Sequence, residues 1–227
     1  MKALASLSKF LGKYDLWLEI IRKFQLKWAD PNKTVKVFNS IFSNGNSDTN
    51  LTFMIKWIKD VSSVLPIEYK NILLFNSLTG LRPDEAQKAI WLIKTKENEY
   101  IDKDKGLLKH YQFPSIFLRH TKNAYVSIVN QDILDLAKET PNKEYYYASL
   151  RKRISSKNDF SMNMYYCRKI FATYLRNKGI EPELIDLLQG RLPKSIFLRH
   201  YYRPDINEII GKKIGPVLVE LENVIRD

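Results

Sequence analysis

The sequence predicts a mainly α-helical domain with one small antiparallel β-sheet, an α+β fold. Apolar residues recur at spacings of three, four and seven along most of the chain, which is the period of an amphipathic helix. Residues 98–130 depart from this period, because they are rich in Ile, Phe, Tyr and Val with partial alternation. Glycine and proline mark helix ends: Gly179 and Gly190 follow predicted helices, and Pro182 and Pro193 begin the next ones.

The N-terminal part of the chain is predicted to be a separate helical segment, residues 1–43. Its apolar spacing favours a helix over residues 3–29. Residues 44–50 are all turn-forming types, so we predict a linker there. The main domain then spans 51–227 and includes a C-terminal helical tail over 206–226.

Helix ends within the main domain follow from local backbone chemistry. Gly80 comes after a predicted helix, where a left-handed backbone is needed. Pro83 suits the start of the next helix because it lacks an N–H that would be unpaired there, and Asp84 and Glu85 favour the same end. The helices predicted in this domain span 51–64, 67–78, 83–94, 131–139, 144–156, 163–178, 182–189, 193–202 and 206–226.

The predicted sheet lies between two groups of helices. Tyr100–Leu107 and Ser115–Val129 hold the β-forming residues. Asp104–Gly106 and Thr121–Asn123 interrupt these stretches with turn-forming types, so each is predicted to be a hairpin turn.

The charge of the chain favours a phosphate-bearing partner. The 227 residues include 37 Lys and Arg against 25 Asp and Glu, a net charge of +12. Residues 151–203 hold twelve basic and four acidic side chains, whereas residues 204–227 have a net charge of −2. Nucleic acid is the predicted partner, because Lys and Arg bind phosphates and release counterions. The alternative is a basic surface that only keeps the protein in solution.

Several classes of protein are excluded by composition. Cys167 is the one cysteine, so a disulfide scaffold is excluded and a reducing, cytoplasmic location is expected. No apolar run approaches the ~20 residues of a membrane span, and Lys9 and Lys13 interrupt any signal peptide. No Gly-rich phosphate loop occurs, and the histidines are scattered. We therefore expect no cofactor and no metal.

Three segments each place one arginine at a helix end or on a helix face. Leu78–Ala86 holds Arg82 at a glycine-shaped junction beside a helix N-terminus, which favours anions. Tyr165–Leu175 holds Arg168 at the edge of an apolar helix face. In the third segment, Arg191 directly follows the glycine that ends a helix. Each pattern is also typical of an ordinary surface arginine or of one whose stem lies along an apolar face.

A fourth segment contains two adjacent tyrosines, Tyr201 and Tyr202, just before Pro204, which ends a short helix. Adjacent tyrosines serve either as packing residues or, beside arginines that hold a phosphate, as a nucleophile.

In this order and spacing, the four segments resemble the tyrosine recombinase (phage integrase) family over roughly residues 50–205. The family pattern is an arginine in a TGLR box, a lysine on a β-hairpin, an HxxR box, an LLGH box and a tyrosine about ten residues later. The stretch LLQGRLPKSIFLRHYYRPD is most similar in sequence to integrases of archaeal viruses and plasmids, the fusellovirus type. The matching positions here are Arg82, Lys122, Tyr165, Arg168, Arg191 and Tyr201.

The resemblance implies a role for each residue. Arg82 and Arg168 would hold the scissile phosphate, and Tyr201 would attack it, with Tyr202 as the alternative. Lys122 would protonate the leaving oxygen, with Lys105 and Lys109 as alternatives. Arg191 stands where the family has histidine and would donate to a phosphate oxygen. Tyr165 stands where histidine or lysine is usual, and with a pKa of ~10 it is a poor base, so the general base stays open.

The resemblance also implies a function. The chain would be the catalytic domain of a site-specific DNA recombinase that integrates or excises viral or plasmid DNA through a 3′-phosphotyrosine intermediate. Its partners would be double-stranded attachment sites, with a monomer in isolation and a homotetramer on DNA. Residues 1–43 would be the last part of a core-binding region. The C-terminal tail would dock on a neighbouring protomer, and the alternative is that it packs on its own domain. The alternatives are a type IB topoisomerase and a non-catalytic DNA-binding protein.

Overall fold

The computed structural model describes residues 2–26, 34–35, 50–119, 122–141, 164–192, 200–201 and 205–226. The chain divides into two compact units, Met1–Ser47 and Asp48–Asp227. Most of the predicted linker and the predicted helix over 144–156 lie outside the described residues. Of the predicted helix over 193–202, only His200 and Tyr201 are described.

Over residues 2–26 the first unit forms two helices where one was predicted. Helix α1 spans Lys2–Phe10 and α2 spans Tyr14–Lys23. The prediction of one continuous helix over 3–29 is wrong, because Gly12 takes a φ of +64° and ends the first helical run. Apolar periodicity continued across this break, so it gave no sign of the turn.

The second unit is mostly helical, as predicted. The helices among its described residues are α3 (Leu51–Val64), α4 (Ile67–Thr79), α5 (Pro83–Thr95), α6 (Glu97–Tyr100), α7 (Pro114–Phe117), α8 (Gln131–Lys138), α9 (Tyr165–Asn177), α10 (Pro182–Leu188), α11 (Ile206–Glu208) and α12 (Gly215–Arg226). A π-helical stretch, Ile209–Ile214, joins α11 to α12. Six of these helices lie within a few residues of their predicted bounds, because capping residues and Gly or Pro fix their ends locally.

The β-structure is antiparallel but is divided into two parts. Strands β1 (Ile101–Asp102), β2 (Leu107–Leu108) and β5 (Ser127–Ile128) form one sheet in the order β1-β2-β5. Strands β3 (Leu118–Arg119) and β4 (Lys122–Asn123) form a separate hairpin. The prediction of a strand from Ser115 is wrong at its start, because Pro114 begins the short helix α7 there.

Helix α4 forms the centre of the second unit. Its side chains are buried on every face, from Tyr69 through Thr79 except at the lysine in its first turn. Helices α3, α5, α8, α9 and α12 all pack against it. The tail helix α12 buries Val217, Leu218 and Leu221, and it packs on α3 and α4. Of the two positions expected for the tail, the described residues therefore show the one on its own domain.

A buried hydrogen-bonded chain ties the three-stranded sheet together. The Tyr100 hydroxyl lies 2.6 Å from His110 Nδ1, and Ser127 Oγ lies 2.8 Å from His110 Nε2. All three residues are almost completely buried. Burial lowers the pKa of His110 to about 3, so the imidazole is neutral and matches two hydroxyl partners that can each donate or accept.

We expect His110 to make the protein acid-sensitive. Its pKa is lower in the folded state than its ordinary value of about 6.5, so the unfolded chain binds the extra proton first. The stabilisation is fully present above pH ~6.5 and should fall by about 1 kcal/mol per pH unit below it, towards pH 3. In urea unfolding at several pH values, His110→Gln should have a lower free energy of unfolding than the wild type at neutral pH. Its free energy of unfolding should lack the part of the pH dependence that comes from His110. His200→Gln, at an exposed histidine, should keep the wild-type slope; an unchanged slope in His110→Gln would contradict the assignment.

Candidate functional site

The junction between α4 and α5 places Arg82. Gly80 ends α4 with a φ of +63°, and a Cβ there would overlap the ring of Phe171 on α9. The side-chain amide of Asn76 donates to the Leu81 carbonyl at 2.7 Å, which holds the turn in place. Arg82 follows as the N-cap of α5. The junction is therefore a rigid backbone turn pressed against α9, and Arg82 leaves it at the start of a helix.

A buried carboxylate fixes the direction of Arg82. The Arg82 backbone N–H donates to Glu85 Oε2 at 3.0 Å, and Arg82 Nη1 donates to Glu85 Oε1 at 2.8 Å. Glu85 is only 1% exposed, so this charge is stabilised by its cationic partners. Arg119 Nη2 donates to the same Oε1 at 2.6 Å. Glu85 thus joins one arginine from the helix junction to another from the β3–β4 hairpin.

The hairpin brings Lys122 to this junction. Arg119 on β3 pairs directly with Lys122 on β4, and residues directly opposite each other extend from the same face of a two-stranded ribbon. The next carbonyl, of Asn123, accepts from Arg82 Nη1 at 3.1 Å. Lys122 is exposed. Its ammonium is therefore carried on the hairpin face from which Arg119 reaches Glu85.

Arg168 joins two segments that are far apart in sequence. It leaves the second turn of α9, and its Nη1 donates to the Gly80 carbonyl at 2.8 Å. Its Nη2 donates to the Gln189 carbonyl at 2.5 Å, and the Gln189 side chain donates back to the Arg168 carbonyl at 3.0 Å. A guanidinium has five N–H groups. Two of them donate to the Gly80 and Gln189 carbonyls, and three have no partner among the described residues. Arg168 can therefore still bind an anion.

Gly190 brings the end of α10 onto the hairpin. Its φ is +75°, and a Cβ at this position would overlap the carbonyl oxygen of Asn123. Asn123 is therefore touched by Arg82 from one segment and by Gly190 from another. Arg191 follows directly, with its Nη1 2.5 Å from Asp186 Oδ1 and a side chain that is mostly exposed.

The arginines are close enough to influence one another electrostatically. Burial, together with the neighbouring cations Arg82 and Arg191, lowers the pKa of Arg168 to about 10, whereas Glu85 and Asp186 act in the opposite direction. Arg168 stays protonated at neutral pH. Three guanidinium groups held together by backbone contacts repel one another, and an anion placed among them would relieve that repulsion.

The two predicted tyrosines are exposed at the positions the structure describes. Tyr165 begins α9, three residues before Arg168 and so on the same side of the helix, and it is 58% exposed. Its neighbour Tyr166 instead packs edge-to-face on Trp57 with ring centroids 5.2 Å apart. Tyr201 is 73% exposed, and Tyr202 lies outside the described residues. Arg82, Arg168 and Arg191 are thus brought together, and Lys122 lies on the hairpin strand whose Asn123 carbonyl contacts Arg82.

Four residues of this arrangement were not expected from the sequence as site residues: Glu85, Arg119, Asn123 and Gln189. Glu85 was expected to favour a helix N-terminus and to belong to the box that holds Arg82, and the structure shows that it also anchors two arginines. Asn123 and Gln189 contribute backbone carbonyls, which carry no side-chain signal. Arg119 could have been found from its pairing with Lys122 across the β3–β4 hairpin.

Comparisons with protein-family models, with curated proteins and with solved structures found no match to this chain. Within the described ranges, no three His, Cys, Asp or Glu side chains are grouped so as to hold a metal ion. No helix in the described part of the chain is both long enough and apolar enough to span a bilayer.

Proposed function

We propose that this chain is a site-specific DNA recombinase of the tyrosine recombinase type, which cleaves and rejoins DNA strands through a 3′-phosphotyrosine intermediate. The observation that supports this best is the cation cluster. Arg82, Arg168 and Arg191 come from three separate segments and are joined through Gly80, Asn123 and Gly190. Lys122 precedes Asn123 on the hairpin strand β4. Such a cluster suits a phosphodiester, because negative charge on the non-bridging oxygens grows in the transition state.

The geometry supports a division of roles in the proposed reaction. Arg82 and Arg168 are held by backbone carbonyls and a buried carboxylate, so their remaining N–H groups are fixed in direction before DNA binds. Fixed donors cost no reorganisation during the reaction. Arg191 is more exposed and donates to a further phosphate oxygen. Tyr165, which is a poor base, lies beside Arg168 and lines the cluster.

The proposed transesterification balances without a cofactor. The Tyr201 oxygen attacks phosphorus, and its hydroxyl proton passes to water, which reaches this exposed side chain. The bond from phosphorus to the 5′-oxygen breaks, and that oxygen takes a proton from the Lys122 ammonium. A 5′-hydroxyl then attacks the phosphotyrosine and returns its proton to the Lys122 amine. The bond from phosphorus to the Tyr201 oxygen breaks, and that oxygen takes a proton back from water. The number of phosphodiester bonds is unchanged.

The central test is trapping of the covalent intermediate. The full chain is incubated with a library of nicked duplexes that carry a randomised core. The nick is placed so that the short cleaved strand diffuses away, and its loss prevents rejoining. We expect an SDS-resistant protein–DNA adduct whose DNA is enriched in one sequence. Tyr201→Phe should form no adduct, and Tyr202→Phe should form one. The reverse pattern would replace Tyr201 by Tyr202 as nucleophile, and no adduct on any duplex would refute the catalytic proposal.

A type IB topoisomerase is the second candidate, and the position of the tail favours keeping it. Helix α12 is buried against α3 and α4 of its own unit, whereas docking on a neighbouring protomer would have favoured a recombinase. A topoisomerase would relax a supercoiled plasmid with no second site. A recombinase would instead need two copies of the enriched sequence and would exchange strands between them.

A further inference from the structure

The ion pair between Arg119 and Glu85 joins the hairpin to the helix junction. Arg119 Nη2 lies 2.6 Å from Glu85 Oε1, the same oxygen that Arg82 Nη1 contacts at 2.8 Å. Glu85 is buried, while the Arg119 side chain is 43% exposed. The pair therefore reaches from the surface of the hairpin to a charge inside the protein, which gives it more electrostatic weight than an exposed pair.

The hairpin contacts the junction through both of its strands. On β3, Arg119 binds Glu85; on β4, the Asn123 carbonyl accepts from Arg82. Lys122 lies between these two contacts, directly opposite Arg119. A lysine side chain is a flexible four-carbon stem with one compact charge at its end. The position of that charge therefore depends on the backbone that carries the side chain. The two contacts together decide where that backbone lies.

We infer that Arg119 is a positioning residue for Lys122 in the proposed reaction. This inference rests on the proposed function. The Arg119–Glu85 ion pair holds β3 against α5, and the antiparallel pairing transmits that position to Lys122. Without the ion pair β3 loses its link to α5, and the hairpin is held on the β4 side, where Asn123 contacts Arg82 and Gly190. The Lys122 ammonium then loses its alignment with the leaving 5′-oxygen, while Arg82 and Arg168 still hold the phosphate.

The competing role is direct binding of a DNA phosphate by Arg119, which is partly exposed. The two roles differ in what they change. A direct phosphate ligand sets DNA affinity and its salt dependence, and its loss lowers the slope of log K against log salt by about one. A positioning residue for Lys122 changes only the step in which the leaving oxygen is protonated.

A sulfur-substituted substrate separates these roles. In a duplex whose scissile 5′-oxygen is replaced by sulfur, the leaving group is a thiolate with a pKa near 8.5, which departs without a proton. We expect Arg119→Gln to slow single-turnover cleavage of the ordinary duplex by about 10- to 100-fold, less than the roughly 100- to 10,000-fold that complete loss of a general acid costs. Cleavage of the sulfur duplex should return to within a few-fold of wild type, as it should in Lys122→Ala. DNA affinity and its salt slope should not change.

Three further variants sharpen the test. Arg119→Lys keeps the charge and should recover part of the ordinary rate. The double variant Arg119→Gln/Lys122→Ala should be no slower than Lys122→Ala alone, because both changes affect one proton transfer. Arg168→Lys, which affects phosphate binding, should not be rescued by sulfur. Unfolding temperatures of all variants show that each protein is folded.

Each adverse result has a distinct meaning. One such result is that Arg119→Gln cleaves the sulfur duplex as slowly as the ordinary one, and another is that its DNA affinity depends less on salt. Either result would overturn the positioning role in favour of phosphate binding. Multiplied defects in the double variant would show that Arg119 and Lys122 act independently. If Arg119→Gln cleaved the ordinary duplex at the wild-type rate, the ion pair would have no role in the reaction. If the wild-type protein cleaves neither duplex, the proposed function itself fails, and the inference fails with it.

Discussion

Gly190→Ala should disrupt the cation cluster and remove strand cleavage. A Cβ at position 190 would overlap the carbonyl oxygen of Asn123, which is backbone and cannot rotate away. Either the β3–β4 hairpin or the end of α10 has to move, and Arg82 or Arg168 then loses a carbonyl that fixes its direction. We expect no phosphotyrosine adduct with any duplex that the wild-type protein cleaves.

The same variant should also be less stable, by a measurable margin over a matched control. Gly179 has a φ of +84°, but a Cβ added there would meet nothing within 4 Å, so Gly179→Ala tests the backbone strain alone. That strain costs about 1–2 kcal/mol. Gly190→Ala should lose about 1–3 kcal/mol more, because of the overlap. Urea unfolding with equal m-values measures both. Equal losses in the two variants would show that Gly190 does not pack against Asn123.

Arg168→Lys should have the second largest effect. A lysine keeps the charge, but one compact ammonium cannot donate to both Gly80 and Gln189 and also to a phosphate. We expect the rate of adduct formation to fall by at least about 100-fold, the typical result of losing one transition-state donor. Stability should fall by about 1–3 kcal/mol, because a partly buried carbonyl loses its donor.

Inorganic phosphate gives a readout of this site that does not depend on DNA. In the wild-type protein an anion relieves the repulsion that contributes to the lowered pKa of Arg168. At ten times its dissociation constant, phosphate should stabilise the fold by about 1.4 kcal/mol, or about 3–6 °C in Tm for a chain of this size. Arg168→Lys should lose most of this shift.

Arg176→Lys is the matched control for this prediction, because Arg176 lies two turns further along the same helix and is exposed. Its phosphate shift and its cleavage rate should equal those of the wild type. If Arg168→Lys kept the full phosphate shift, Arg168 would be a scaffold residue that clamps two loops, and it would not be a phosphate ligand.

Much of the helical framework was predictable from sequence, because its signals are local. Gly80 and Pro83 mark the end of α4 and the start of α5, since a positive φ and a missing N–H are properties of single residues. The same reasoning places the start of α10 at Pro182. The break at Gly12 was missed because apolar spacing on both sides of it is helical, and only the backbone conformation shows the turn.

The β-structure was predictable only in outline. A strand needs a partner, and the partner is chosen by contacts that the local sequence does not contain. β2 pairs with β5 twenty residues later, whereas β3 pairs with β4 in a separate hairpin. The predicted turn over 121–123 includes Lys122 and Asn123, which the structure places on β4, so the pairing of Arg119 with Lys122 was not foreseen. A shift of one residue changes which side chains share a face.

The sequence by itself determined the residue types of the candidate site and their order: three arginines, a hairpin lysine and a tyrosine, with glycines beside two of the arginines. Tertiary structure alone decided what holds them. The Gly80 and Gln189 carbonyls reach Arg168, and the Asn123 carbonyl reaches Arg82, from distant segments. The buried Glu85 carboxylate is local to Arg82 but also pairs with the distant Arg119. Composition and spacing do not encode such contacts, because backbone carbonyls are the same in every residue and acquire a role only when packing brings them to a partner.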